Sequence, residues 1–237
     1  MVNPDKPSMR IELTDKKTSI FESKVGGLGY IPHNSNFPTD SEGNQLRLLA
    51  QIDCSEIYLD EFPEKGLLQF WLAGDELYGC DFDNPTKQDG FRVIYYPEVD
   101  TTVTEDEIRN KIVNTEDYDD KYFLPVSREC GMTFEPSEDR YIDYDAIEDD
   151  YDDEEDSYDD ERWTENFYSK VGGYPTFTQF DPRDEQKQKE YDFLLFQLDS
   201  EWEKVLWGDM GIGNFFINSE KLKKLDFSDV LYNWDCG

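Results

Sequence analysis

Apolar positions along this chain come in short runs rather than long helical stripes. The runs at about 46–53 and 192–199 are too short for most helices and carry the β-branched and aromatic residues that strands favour. A second pair of runs, 66–72 and 213–217, opens at a glycine, and Phe91-Arg92-Val93-Ile94-Tyr95-Tyr96 makes a third strand, matched more loosely by Val230-Leu231-Tyr232. Helical signals are brief. Thr104 with Glu107 forms a capping box ahead of Ile108, Ile112 and Val113. Pro182 is expected to open a polar surface helix over 182–191, and Ser219 to cap a turn through Leu222 and Leu225. The pattern predicts an α+β fold, predominantly antiparallel β-sheet, with a few short helices.

The runs repeat. Ser23-Lys24-Val25-Gly26-Gly27 returns unchanged as Ser169-Lys170-Val171-Gly172-Gly173, and Leu48-Leu49-Ala50-Gln51-Ile52-Asp53 returns as Leu194-Leu195-Phe196-Gln197-Leu198-Asp199, both at an offset of 146 residues. Gly66-Leu67-Leu68-Gln69-Phe70 is set against Gly213-Asn214-Phe215-Phe216-Ile217, one residue further out of step. This reads as internal duplication, with two pseudo-two-fold-related halves in a single domain over 1–237. The first repeat is expected at 9–100, an acidic inter-repeat insertion at 101–165, and the second repeat at 166–237.

Charge sharpens the picture. The 237 residues hold 56 Asp and Glu against 23 Lys and Arg, a formal charge of −33. Such a field repels nucleic acid and anionic membranes and attracts basic proteins, so direct nucleic-acid and membrane binding are set aside and a basic protein is the expected partner. Residues 138–161 concentrate the excess, with fifteen acidic residues and one basic residue, Arg140. A charge run of this kind reads as a solvated linker. Tyr144, Ile147, Tyr151 and Tyr158 also fall at helical spacings, which leaves an amphipathic helix against a lobe or partner as the alternative. Tyr144, Tyr151, Asp152, Asp153, Glu154, Glu155, Asp156 and Tyr158 are therefore the candidate partner-binding residues.

Candidate chemistry is sparse. The single histidine, His33, lies beside Pro32 in a loop and has no nucleophile-elbow motif to serve, so a structural role is expected. Zinc spacings, a phosphate-binding loop and an EF-hand loop are missing from the sequence, and no cofactor is expected. Gly208-Asp209-Met210-Gly211-Ile212-Gly213 reads as a tight turn feeding a strand, with Asp209 free to bond turn amides. Cys54, Cys80, Cys130 and Cys236 are scattered as reduced thiols would be, with Cys54 buried. That scatter and the lack of an apolar leader or spanning segment point to a cytoplasmic address.

The most interesting polar positions are the repeated Gln51/Asp53 and Gln197/Asp199. Strand alternation places each Gln and Asp on one face with Leu49 or Leu195. They either line a cleft between the repeats, together with Asp209 and Asn214, or satisfy backbone groups within their own copies.

Several blocks resemble the YwqG-like family: Ser169–Pro175, Thr178-Gln179-Phe180-Asp181-Pro182-Arg183, Leu194–Asp199, Trp207–Ile217, the first-half segments Leu49–Asp53 and Gly66–Phe70, and the closing Trp234-Asp235-Cys236. The resemblance spans nearly the whole chain. It implies a duplicated β-rich domain found mainly in bacteria, with no established activity or active site to carry over. The placing of some relatives near toxin genes adds an immunity-type or regulatory binding role as an expectation. Two functional classes follow: a non-catalytic interaction protein with an acidic surface, or an enzyme or small-ligand binder using the inter-repeat cleft.

Overall fold

The structure, a computed structural model, describes residues 4–113, 124–141 and 166–237. Its centre is a pair of long antiparallel strands, β1 (Lys6–Thr14) and β6 (Cys130–Asp139), in register from Lys6 opposite Asp139 to Thr14 opposite Gly131. On one side of this pair lie β2 (Lys24–Val25), β3 (Arg47–Asp53), β4 (Leu67–Leu72) and β5 (Phe91–Tyr96). On the other lie β7 (Lys170–Gly172), β8 (Phe193–Asp199), β9 (Ile212–Ile217) and β10 (Val230–Asp235). The sheet order, β10-β9-β8-β7-β1-β6-β2-β3-β4-β5, thus runs outward through equivalent hairpins on both sides.

The sheet coils into a nearly closed barrel because its inner face is aromatic. Phe70 of β4 stacks on Phe196 of β8 with ring centroids 4.7 Å apart, and Phe91 of β5 meets Tyr232 of β10 at 5.2 Å. Such contacts draw the flanks together over a common core that runs from Met9 and Ile11 through Phe70 to Phe215 and Tyr232. The outer strands do not pair with each other. Instead the segment between β4 and β5 bridges them: the Tyr232 amide donates to Pro85 O at 2.8 Å, while Gln88 accepts from the Val93 amide and donates to Phe227 O. Covering the seam in this way protects both edges from pairing with other chains.

Corresponding irregularities occur in both halves. The β3–β4 register slips between Leu48 and Ala50, and the β8–β9 register slips between Leu194 and Phe196. This bulge corrects simple alternation. Leu49 and Leu195 turn into the common core with Ala50 and Phe196, whereas Leu48 and Leu194 join separate outer clusters. Gln51 lies opposite Gln69 and Gln197 opposite Asn214, so Gly66 corresponds to Gly211, not to Gly213 as the sequence alignment has it. Strands β5 and β10 hold matching places and are each six residues long.

Three short helices cover the outside. In α1 (Glu105–Arg109) Thr104 Oγ1 accepts from the Glu107 amide, and Ile108 is buried in the same outer cluster as Tyr30 and Trp71. Helix α2 (Glu185–Glu190) is capped by Asp184, so Pro182 precedes it rather than opening it. Helix α3 (Ser219–Leu222) is capped by Asn218, while the Ser219 hydroxyl donates to Asp192. The stretch 101–165 is more than an insertion, since it supplies α1 and the central strand β6.

Candidate functional site

The repeated amides are buried. Gln51 Oε1 accepts from the Tyr30 amide at 2.9 Å and from Gln69 Nε2 at 2.8 Å, while Gln51 Nε2 donates to the carbonyls of Ile20 and Glu22. Gln69 also donates to Tyr30 O and accepts from Trp71 Nε1. The second half is similar with Gln197 and Asn214: Gln197 accepts from the Thr176 amide and donates to Tyr168 O, and Asn214 donates to Thr176 O, while Asn214 Oδ1 is buried with no hydrogen-bond partner among the described residues. In each half, then, side-chain amides stitch a loop without regular structure onto the outer face of the sheet. They satisfy backbone groups that would otherwise be buried without partners. Gln51, Gln197 and Asn214 are thereby committed within their own halves.

Beneath each loop sits a lysine that sequence reasoning recorded only as part of a repeated motif. Lys24 and Lys170 are 1% and 0% exposed. Lys170 Nζ pairs with Asp139 Oδ2 at 2.6 Å and donates to Asn166 O, with the Tyr168 ring 4.6 Å away. Asp139 also accepts from the hydroxyls of Ser8 and Tyr168 and from the Tyr174 amide. Burial lowers the Lys170 ammonium to about 8, with the Asp139 charge opposing that shift. Lys24 faces Glu129 at 3.6 Å, and Thr18 donates to the same carboxylate. Both carboxylates press on the second glycine of the repeated turn. A Cβ at Gly27 would overlap Glu129, and one at Gly173 would overlap Asp139, with both glycines at positive φ.

Asp53 and Asp199 follow the buried amides at the strand ends. The Asp53 amide donates to Ser23 Oγ at 2.8 Å and the Asp199 amide to Ser169 Oγ at 3.0 Å. Asp53 then caps the turn Cys54–Glu56 through the Ser55 amide and hydroxyl. Asp199 accepts from the Ser200 amide, and burial pushes its carboxyl up to about 6. Asp199 lines a groove of about 350 Å³ with Arg10–Leu13, Phe167–Ser169, Ser200 and Glu201. Asp53 does not line it, and among the described residues no hydrogen bond joins the two aspartates across the halves.

Asp209 is exposed, and its side chain bonds no turn amide among the described residues; Gly208 and Met210 take the positive φ values of that turn. His33 bridges Glu107 (2.7 Å) and Thr102 (3.0 Å), fastening its loop to α1. Cys54 and Cys80 are buried, and desolvation pushes each thiol up to about 12, far from a reactive thiolate. Among the described residues no group of three or more His, Cys, Asp or Glu is placed to hold a metal ion, and no helix is long and apolar enough to cross a membrane. Tyr144, Tyr151, Asp152, Asp153, Glu154, Glu155, Asp156 and Tyr158 lie outside the described residues.

These features define a mostly antiparallel, barrel-like β protein whose two flanks each fold a Ser-Lys-Val-Gly-Gly turn over buried amides. The chain belongs to the family described as a domain of unknown function (DUF1963), whose model matches residues 23–236 and so takes in both flanks. No curated protein matches it.

Proposed function

We propose that this protein is a non-catalytic interaction factor, of immunity or regulatory type, that binds a basic protein through its acidic surface. The observation that carries this reading is the net charge of −33, which focuses an attractive field on cationic partners. The repeated polar residues support it, since the Gln51, Gln197 and Asn214 side chains bond loop backbone within their own halves. In this reading the two halves descend from one duplicated unit of YwqG-like type, in a cytoplasmic protein. The segment from Tyr144 to Tyr158 supplies partner contacts.

The test is capture of a basic protein by the intact chain and by a version lacking 142–161, at low and raised salt. That deletion spares Asp139, which holds Lys170. A basic partner kept by the intact chain, weakened by salt and lost on deletion is the expected result. Capture that ignores both salt and deletion would remove the electrostatic basis.

A further inference from the structure

The two halves treat one serine differently. Ser23 accepts from the Asp53 amide and donates its hydroxyl to Glu56 Oε2 at 2.5 Å, so the turn Cys54–Glu56 folds a carboxylate back over the strand end. Ser169 accepts from the Asp199 amide in the same way, but its hydroxyl proton meets no acceptor among the described residues. The chain after β8 goes elsewhere. Ser200 donates to Gly211 O, and Glu201–Val205 closes on itself while Ser127 N and Leu206 N bond across to Lys204 O and Pro125 O. Trp202, 146 positions after Glu56, is 71% exposed. What remains over Ser169 is the groove of about 350 Å³.

A cation lines that groove from a strand position where the first half has a glycine. Lys24 lies opposite Gly131, whereas Lys170 lies opposite Arg10. The Arg10 guanidinium rests 4.8 Å from the centre of the Tyr168 ring and makes no ion pair among the described residues. We infer that the groove between β1 and the end of β8 is a carboxylate-binding site, in which an external carboxylate takes the Ser169 hydroxyl and the Arg10 guanidinium in place of the internal Glu56.

The other charges facing it are acidic on balance, because Lys170 behind it is already paired with Asp139. Glu201 is paired with Lys204, whose Nζ also reaches Leu13 O at 2.9 Å; Lys170 lies buried behind, and Glu12 is exposed on β1. Asp199, with its carboxyl at about 6, is neutralised over the lower part of the working range. An arriving anion favours that neutral form, so binding takes up a proton and strengthens as pH falls.

The experiment titrates the full chain with acetate, and with one short uncharged peptide made as the C-terminal acid and as the C-terminal amide. Binding is followed through the Ser169 amide and Arg10 Nε resonances at pH 5.5 and 7.5. Saturable shifts with acetate and with the peptide acid, at least ~5-fold tighter at the lower pH, are expected. Tighter binding of the peptide acid than of acetate identifies a peptide terminus as the source, and equal binding identifies a small carboxylate. Arg10→Gln, an exposed position whose change leaves the fold intact, weakens binding ~10-fold or more. Asp199→Asn binds at pH 7.5 as the unchanged chain does at pH 5.5. The inference is overturned if no saturable shift occurs at either pH, if the peptide amide binds as well as the acid, if an oligolysine perturbs these resonances in place of acetate, or if Arg10→Gln binds unchanged.

Discussion

At the scale of single residues, the structure turns on buried charge. Lys170 and Asp139 are both removed from water, and each is tolerable only because the other is present. Lys170→Met or Asp139→Asn alone therefore costs ~3–5 kcal/mol, while Lys170→Met combined with Asp139→Leu costs clearly less than the sum. Denaturant titration of the three variants reads this coupling directly, and additive losses would show that the pair is not coupled. Asp199 behaves oppositely. Its carboxyl holds its proton more tightly in the folded chain (about 6) than at the ordinary 3.8, so its contribution is full below ~4 and lost as pH rises through ~6. With its partial exposure discounted, Asp199→Asn is more stable than the unchanged chain by ~1–2 kcal/mol at pH 8, and the difference closes near pH 4. A gap of constant size across that range would contradict the assignment. The repeated Gln and Asp were legible as special positions in the sequence because they recur at one spacing. Asp139 was not, because one essential carboxylate inside a run of fifteen acidic residues carries no mark of its burial.

At the scale of elements, the Gly-Gly turns are the joints. Gly173 has φ of 74°, and a Cβ there meets a carboxylate locked by four donors, whereas the Glu129 side chain against Gly27 is 33% exposed and has room to move. Gly173→Ala should lower stability by ~2–4 kcal/mol, and Gly27→Ala by ~1–2 kcal/mol, mostly from backbone strain once the Glu129 side chain swings aside. Thermal unfolding of the two variants checks the order; equal losses would mean the carboxylates yield alike. The flank strands β3, β4, β8 and β9 were readable because both of their faces are covered, which leaves continuous apolar runs. The central β6 was not, since Cys130–Asp139 contains a proline and runs into acidic sequence. Its geometry explains the tolerance. Met132 N donates to Ser23 O on the β2 side, so the Pro136 nitrogen two pleats on also faces that side, beyond the two residues where β2 pairs.

At the scale of the whole molecule, closure by aromatic contacts across the barrel makes a stable support, and the excess of carboxylates gives it a long-range field. Charge was the most legible property of the chain, while the partition of the fold into a shared central pair and two equivalent flanks required the register of every strand. The residue positions that differ between flanks, Glu56 and Trp202 or Gly131 and Arg10, gain meaning only once that register is known. The central claim is that this scaffold recruits a basic protein electrostatically. The measurement that tests it most directly is the association rate with the captured basic partner between about 0.05 M and about 0.5 M salt. Steering by the acidic field predicts a fall of at least ~10-fold in the association rate, with the dissociation rate changing far less. An association rate indifferent to salt would contradict it.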